Sequence, residues 1–316
     1  MKWRKTMSKK RILLIGSANM DLAMNMYKLP EAGEVLIDDA GVAYMPGGKG
    51  TNGAIALTRL GAQCIFSTKL GADAHGQKLY NYYKEMGIDA SHVMVDRDNP
   101  TGLSVVIKES DGSVRKIIYP GANSNITTEQ VMEAFNCNPD ALYLSFEIPY
   151  AMAVAAAKVA SAKNIPIFVS AGPASKEYAL EALPPVEIFC PNEQEVFEYT
   201  GIKPITMETS LHACLNLYRR CKCKYVVIKQ GAKGAFVYDG KHYDTLPAIK
   251  TAGKVVDTTG AGDTFTAALT VEYLRNGKDI KGAITYANAA AAVAISRKGA
   301  VASIPTEEEV NAVFRK

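Results

Sequence analysis

The chain has 316 residues, 48% of them hydrophobic and 22% charged, a composition that can bury a large core and excludes a disordered polypeptide. Its net charge of +4, carried partly by "MKWRK" and "SKKR" at the start, suits anionic small substrates but lacks the sustained basic stripe of a nucleic-acid surface. No uninterrupted apolar run reaches the ~18 residues of a membrane span and the first ten residues lack a signal peptide's apolar stretch, so a soluble, cytoplasmic protein with a flexible tail over residues 1–10 and no membrane or nucleic-acid partner is expected.

From residue 11 onward, strand-like runs alternate with helical patterns, the signature of a mainly parallel α/β sheet covered by helices. The buried strands read as "RILLIG", "CIFSTKLG", "DALYLSFE", "IPIFVSAG", "VEIFCPN" and "KYVVIKQG", each closing on a small or polar residue before a helix. Ligands of open α/β sheets bind outside the carboxyl ends of the strands, which draws attention to Asn19, Asp21, Glu147, Asn192 and Glu195. One region breaks the alternation: "LSVVIKESDGSVRKIIYPG" reads as two β runs, Leu103–Lys108 and Val114–Tyr119, around an Asp-Gly turn. Together with "VLIDDAGVAYMPGG" it predicts a small sheet, without covering helices, that stands off the main domain as a lid.

Two glycine-rich turns open helices. In "PGGKGTNGAIALTRLG" (Pro46–Gly61), Lys49 is followed by Gly50 rather than Ser or Thr, so a phosphate-binding loop of the Walker type is excluded. "GSANMD" after the first strand likewise lacks the dinucleotide-binding glycine pattern. What remains is either a backbone cradle at Gly47, Gly48 and Gly50 for a polyhydroxylated ligand, with donors from Lys49 and Asn52, or a plain helix start with a solvated lysine. In "DTTGAGDTF" (Asp257–Phe265), a strand over Lys254–Val256 is expected to lead through Gly260, Ala261 and Gly262 into a helix beginning near Asp263. Unpaired amides there suit an anion, and an Asp N-cap on a glycine turn is the competing reading. The six cysteines and four histidines show no ligand spacing and no catalytic triad, so the thiols are expected to be reduced and structural.

Three separated stretches, "GGKGTN", "PNEQE" (191–195) and "DTTGAGDTF", with "SANMD", "TG" at 101–102, "GAN" at 121–123 and "SRKGA" at 296–300, resemble the ribokinase family of carbohydrate kinases, the phosphofructokinase B type. The resemblance runs from about Arg11 to the C-terminus. It implies a three-layer α/β/α fold over 11–316 with a mainly parallel central sheet, a β-sheet lid from about 21–46 and 101–121, and a homodimer packed through the lid sheets. The implied activity is transfer of the γ-phosphoryl group of ATP to a sugar hydroxyl, most closely ribose to ribose 5-phosphate. A nucleoside or fructose kinase of the same family and a non-catalytic sugar-binding sensor are the alternatives.

Residue by residue, the resemblance makes Asp263 the base that takes the acceptor hydroxyl's proton, with Gly260, Ala261 and Gly262 as the anion hole. It assigns sugar contacts to Asn19, Asp21, Gly47, Gly48, Lys49, Asn52 and Glu147. Nucleotide and Mg²⁺ contacts fall to Asn192, Glu195 (largely through water), Lys229, Gly231, Gly234 and Asn288, alongside Gly262. Lys229 replaces a small residue and either approaches a phosphate or points to solvent. Asp257, with main-chain oxygens of Thr259, Ala294, Arg297 and Gly299 and the Ser303 hydroxyl, is implied as a K⁺ site.

Overall fold

The computed structural model describes residues 9–37, 41–111, 113–250 and 254–315. Most of the tail expected at 1–10, Gly112 of the expected hairpin turn, and residues 38–40 of the expected lid therefore lie outside the described residues. In chain order the strands and helices begin β1 (Arg11–Ile15), β2 (Asn19–Met26), β3 (Val42–Gly47), α1 (Lys49–Arg59), β4 (Gln63–Gly71), α2 (Ala74–Glu85), β5 (Val93–Asp96), β6 (Gly102–Glu109) and β7 (Val114–Tyr119). They continue α3 (Thr128–Ala134), β8 (Ala141–Ser145), α4 (Tyr150–Ala162), β9 (Ile167–Ser170), β10 (Ile188–Cys190), α5 (Glu193–Thr200), α6 (Met207–Cys221) and β11 (Tyr225–Lys229). The chain closes with β12 (Ala235–Tyr238), β13 (Tyr243–Leu246), α7 (Ala261–Arg275), α8 (Ile280–Ile295) and α9 (Glu307–Phe314).

The large sheet runs β13-β12-β11-β10-β9-β8-β1-β4-β5, parallel from β11 to β5 and antiparallel at β11–β12 and β12–β13. Its strands are apolar on both faces because helices cover both. In β1, Ile12 and Leu14 face the core under α1, α2, α7, α8 and α9, whereas Leu13 and Ile15 face the one under α3, α4, α5 and α6. Helix α7 is buried along nearly its whole length, from Asp263 to Tyr273. It packs against α8, in which Ala287, Ala289 and Ala290 are fully buried.

The second sheet has the order β3-β2-β6-β7, with β2 parallel to β6 and antiparallel neighbours outside them. Its outer strand β7 is exposed throughout, and Ile117 is 65% exposed, so this sheet has the uncovered face expected of the lid. The strand expected at Lys254–Val256 is absent. Val255 and Val256 are exposed there, and the Val256 and Asp257 amides both donate to Ile295 O at the end of α8 instead of pairing with a strand. Cys64, Cys190, Cys214, Cys221 and Cys223 are buried and Cys137 is half-buried, all as free thiols. Among the described residues no cluster of His, Cys, Asp or Glu forms a metal centre, and no helix is long and apolar enough to cross a membrane.

Candidate active site

The N-terminus of α1 lies at the carboxyl ends of β1 and β8. Gly48, at φ +88°, is its N-cap and no side chain of the helix's own segment caps it. Instead Glu147, just beyond β8, brings Oε2 to the Lys49 amide at 2.9 Å, where a negative charge meets the positive end of the helix. The same oxygen accepts hydrogen bonds from the Ser17 hydroxyl and, at 3.4 Å, from Asn19 Nδ2. Asn19 Oδ1 in turn accepts from Asn123 Nδ2 at 2.9 Å, and Asn123 also takes the Ala18 amide on its own Oδ1. Glu147 thus anchors Ser17, Asn19 and the start of α1, a role that its expected contact with a sugar did not convey.

Asp21 is buried on β2, with the Lys116 ammonium of β7 at 3.9 Å from Oδ2. A Cβ on Gly47 would come within 2.2 Å of this carboxylate, so only glycine lets β3 lie against it. Burial raises the Asp21 pKa above its ordinary 3.8, and the pull of Lys116 offsets only part of that. Asp21 Oδ1 and Asn52 Oδ1 are buried without a hydrogen-bond partner among the described residues. Orphaned buried acceptors of this kind are what a polyhydroxylated ligand would satisfy.

Asp263 is the third residue of α7 rather than its N-cap; Gly260, in the left-handed conformation at φ +78°, takes that position, and no side chain caps the helix. Asp263 Oδ2 accepts from Asn52 Nδ2 at 2.8 Å, and Oδ1 is 3.9 Å from Lys49 Nζ. Lys49 also donates to Glu195 Oε1 at 3.3 Å. Burial alone would lower the Lys49 pKa, but the carboxylates of Asp263, Glu195 and Glu147 outweigh it and hold the ammonium charged well above the usual lysine range. Burial likewise opposes ionisation of Glu195, yet Lys49 and Lys229 keep its carboxyl below the ordinary value. Asn52, Lys49, Glu195 and Asp263, drawn from α1, α5 and α7, therefore form one charged network beside an open helix N-terminus.

On the far side of Glu195, Asn192 and Glu195 form a reciprocal capping box that starts α5: Asn192 Oδ1 takes the Glu195 amide and Glu195 Oε2 the Asn192 amide. Lys229 does not point to solvent. Its ammonium donates to Cys190 O at 3.0 Å and Thr266 Oγ1 at 3.2 Å, between the ends of β10 and β11 and the first turns of α7. Gly231 and Gly234 bound a single 3₁₀ turn between β11 and β12. Asn288 donates to Leu246 O and Pro247 O, so its amide fixes the segment leaving β13.

The residues implied as a K⁺ site do not fit an ion. Asp257 Oδ1 accepts from Thr259 N and Oγ1 at 2.9 and 2.6 Å, and Oδ2 accepts from Gly299 N at 3.1 Å and Lys108 Nζ at 3.0 Å. Four donors use the roughly four lone-pair directions of a carboxylate. The Ser303 hydroxyl is turned to Ala300 O, and the Ala294 carbonyl accepts from the Arg297 amide at 3.1 Å. Lys108, Lys116, Ser17 and Asn123 were not among the expected site residues. Of these, Ser17, within "SANMD", and Asn123, within "GAN", carried a sequence signal.

Asp263 and Lys49 stand beside the N-terminus of α7, which no side chain caps, at the carboxyl ends of a parallel sheet. Residues 9–307 match the model of the pfkB family carbohydrate kinases. The chain is 31% identical to Staphylococcus aureus ribokinase over 96% of its own length and 99% of that protein. It is 33% identical to a bifunctional ribokinase/ribose-5-phosphate isomerase A of Fructilactobacillus sanfranciscensis, covering 95% of this chain but spanning only 55% of that relative's length. A solved structure of Arabidopsis thaliana ribokinase complexed with ribose and ATP superposes with a TM-score of 0.86 at 30% identity, covering 98% of this chain and 99% of that one. The chain belongs to the pfkB family of carbohydrate kinases, ATP-dependent sugar phosphotransferases.

Proposed function

We propose that this kinase is a ribokinase, converting D-ribose and ATP to D-ribose 5-phosphate and ADP. The observation that carries the reading is Asp263, held by Asn52 at 2.8 Å on the first turn of a helix with no side-chain cap. In this reading Asp263 takes the proton of the sugar hydroxyl as its oxygen attacks the γ-phosphorus. The amides of Gly260, Ala261 and Gly262 receive the charge on the transferred group, and the Lys49 ammonium stands beside both. Asn19, Asp21, Gly47, Gly48 and Asn52 meet the sugar hydroxyls, with Asn19 oriented by Asn123 and Glu147. A pocket of this kind rejects an analogue lacking a hydroxyl because its polar groups would be left unpaired, and Asn19 is the residue we assign to discrimination against deoxyribose.

Lys229, Asn192, Gly231 and Gly234 border the ATP phosphates, and Asn288 shapes the adenine side through the segment after β13. Glu195, ionised and bonded at Oε1 only to Lys49 at 3.3 Å, keeps acceptor capacity for the water shell of Mg²⁺, as that ion prefers. The metal would neutralise phosphate charge there. We also propose a homodimer through the small sheets, supported by the uncovered face that includes Ile117 and Tyr119. Light scattering at micromolar concentration checks it: a species of twice the chain mass, lost in Val105→Asp/Ile117→Asp, is expected.

A coupled assay of ADP release across ribose, deoxyribose, fructose, adenosine and pseudouridine tests the substrate. Ribose is expected to give the highest kcat/KM. A tenfold preference for a nucleoside or for fructose would replace ribose while leaving the kinase chemistry in place.

A further inference from the structure

Lys108 lies on β6 of the small sheet, paired in register with Val114 of β7, yet its ammonium reaches the turn that precedes α7. There it meets Asp257, a carboxylate whose side chain is only 9% exposed. Burial would raise the Asp257 pKa, but hydrogen bonds from Thr259, Lys108 and Gly299 outweigh it and hold the carboxyl far below the usual range. The carboxylate therefore requires positive charge and donors around it, and the protein supplies both from within. Thr259 and Gly299 close the turn locally, and Lys108 is the one cation that reaches Asp257 among the described ion pairs.

An ammonium carries the same charge as a monovalent metal ion and can neutralise the same carboxylate. Being tethered, it does not have to be drawn from solution. It differs in one respect: it belongs to the lid. We propose that Lys108 is a built-in monovalent cation, which takes the place of K⁺ at Asp257, orders the phosphate-binding turn and ties that turn to the sheet covering the sugar. Lys108 is accordingly a positioning residue. It acts on the Gly260–Gly262 amides through Asp257, and its catalytic part rests on the kinase reading above.

The test compares wild type, Lys108→Met, Lys108→Ala and Lys108→Arg in K⁺, Na⁺ or choline chloride at one ionic strength, reading both initial rate and Tm. Wild type and Lys108→Arg are expected to run at rates within about twofold in all three salts, with no K⁺-specific Tm shift, since the site is already neutralised. Lys108→Met and Lys108→Ala are expected to lose about tenfold or more in kcat in choline, the scale of a lost charge-assisted contact, and to regain most of it with K⁺. They should also gain a K⁺-specific rise in Tm. A wild type activated several-fold by K⁺, or stabilised specifically by it, would overturn the proposal. So would Lys108→Met with an unchanged rate in choline, or with a loss that K⁺ restores in neither rate nor Tm. The Tm arm reads without turnover, so failure to phosphorylate any sugar would count against the functional reading and not against the cation.

Discussion

Helices α1 and α7 begin in the same way and are used in opposite ways. Each follows a glycine at positive φ, Gly48 or Gly260, and neither is capped by a side chain of its own first turn. At α1 the exposed amides are met from across the chain by the Glu147 carboxylate, whose Oε2 also takes Ser17 and Asn19. Among the described residues no side chain closes the end of α7, and Asp263 on its first turn is turned aside to Asn52. A helix N-terminus attracts negative charge wherever it is open. The first has been given its anion by the fold, whereas the second is given none among the described residues. Local sequence makes both ends; a partner 98 residues away in the chain decides which one is filled.

The contrast is broken most severely at the open end. Asp263→Asn keeps the side chain's shape but removes the proton acceptor, and kcat is expected to fall by about 10²- to 10⁴-fold, with circular dichroism and Tm close to wild type. An Asn variant of undiminished kcat would remove Asp263 from the chemistry. At the filled end the expected damage is to stability and binding. Glu147→Gln weakens the charge-assisted bonds to Lys49 N, Ser17 and Asn19, costing about 1–3 kcal/mol in urea unfolding, and raises the KM for sugar more than it lowers kcat. Gly260→Ala sharpens the comparison from the backbone side. Its φ of +78° disfavours any Cβ, and that Cβ would lie 3.2 Å from Ala300 Cα. A cost of about 1–2 kcal/mol and a Tm lower by a few degrees are expected, with kcat reduced because the turn itself moves.

The smallest effect is expected from pH. Asp21 has its pKa raised above 3.8 chiefly by burial, so it takes up a proton at higher pH than an ordinary carboxyl. Its contribution to stability is then greatest below 3.8 and is lost as pH rises through the higher folded value. Sugar binding runs the other way, because protonation removes an acceptor. The KM for sugar should rise as pH falls, beginning at a higher pH than an ordinary carboxyl would give, and Asp21→Asn should flatten that profile while raising KM throughout.

The parallel strands were legible because strands buried on both faces read as unbroken apolar runs, as Ile12 to Ile15 do. The short strands β5, β12 and β13 carry four residues each and too little pattern to be seen. Val255 and Val256 misled for the converse reason: β-branched residues suggest a strand even where no neighbouring strand pairs with them. In the site, the glycine turns, Asp263 and Glu195 were visible because the backbone they need restricts sequence. Lys108 was not, since a lysine on a hairpin strand ordinarily points to water, and only the tertiary fold brings it to a carboxylate 149 positions away. Asn288 and Glu147 show the same limit in reverse: each was singled out in the sequence, but its bonds to neighbouring backbone could not be read from its type.

The packing of α7 against the alanine-rich α8 has a bearing on precision. Alanines cannot change rotamer, so they limit the freedom of α7 to roll or slide against α8, and on the kinase reading they help fix the aim of Asp263 at its first turn. Reaction rate depends steeply on such alignment, with a displacement of about 1 Å worth as much as 10²-fold. On that reading the buried Ala289 and Ala290 are part of the tolerance to which the start of α7 is built. A single larger side chain there is expected to lower turnover.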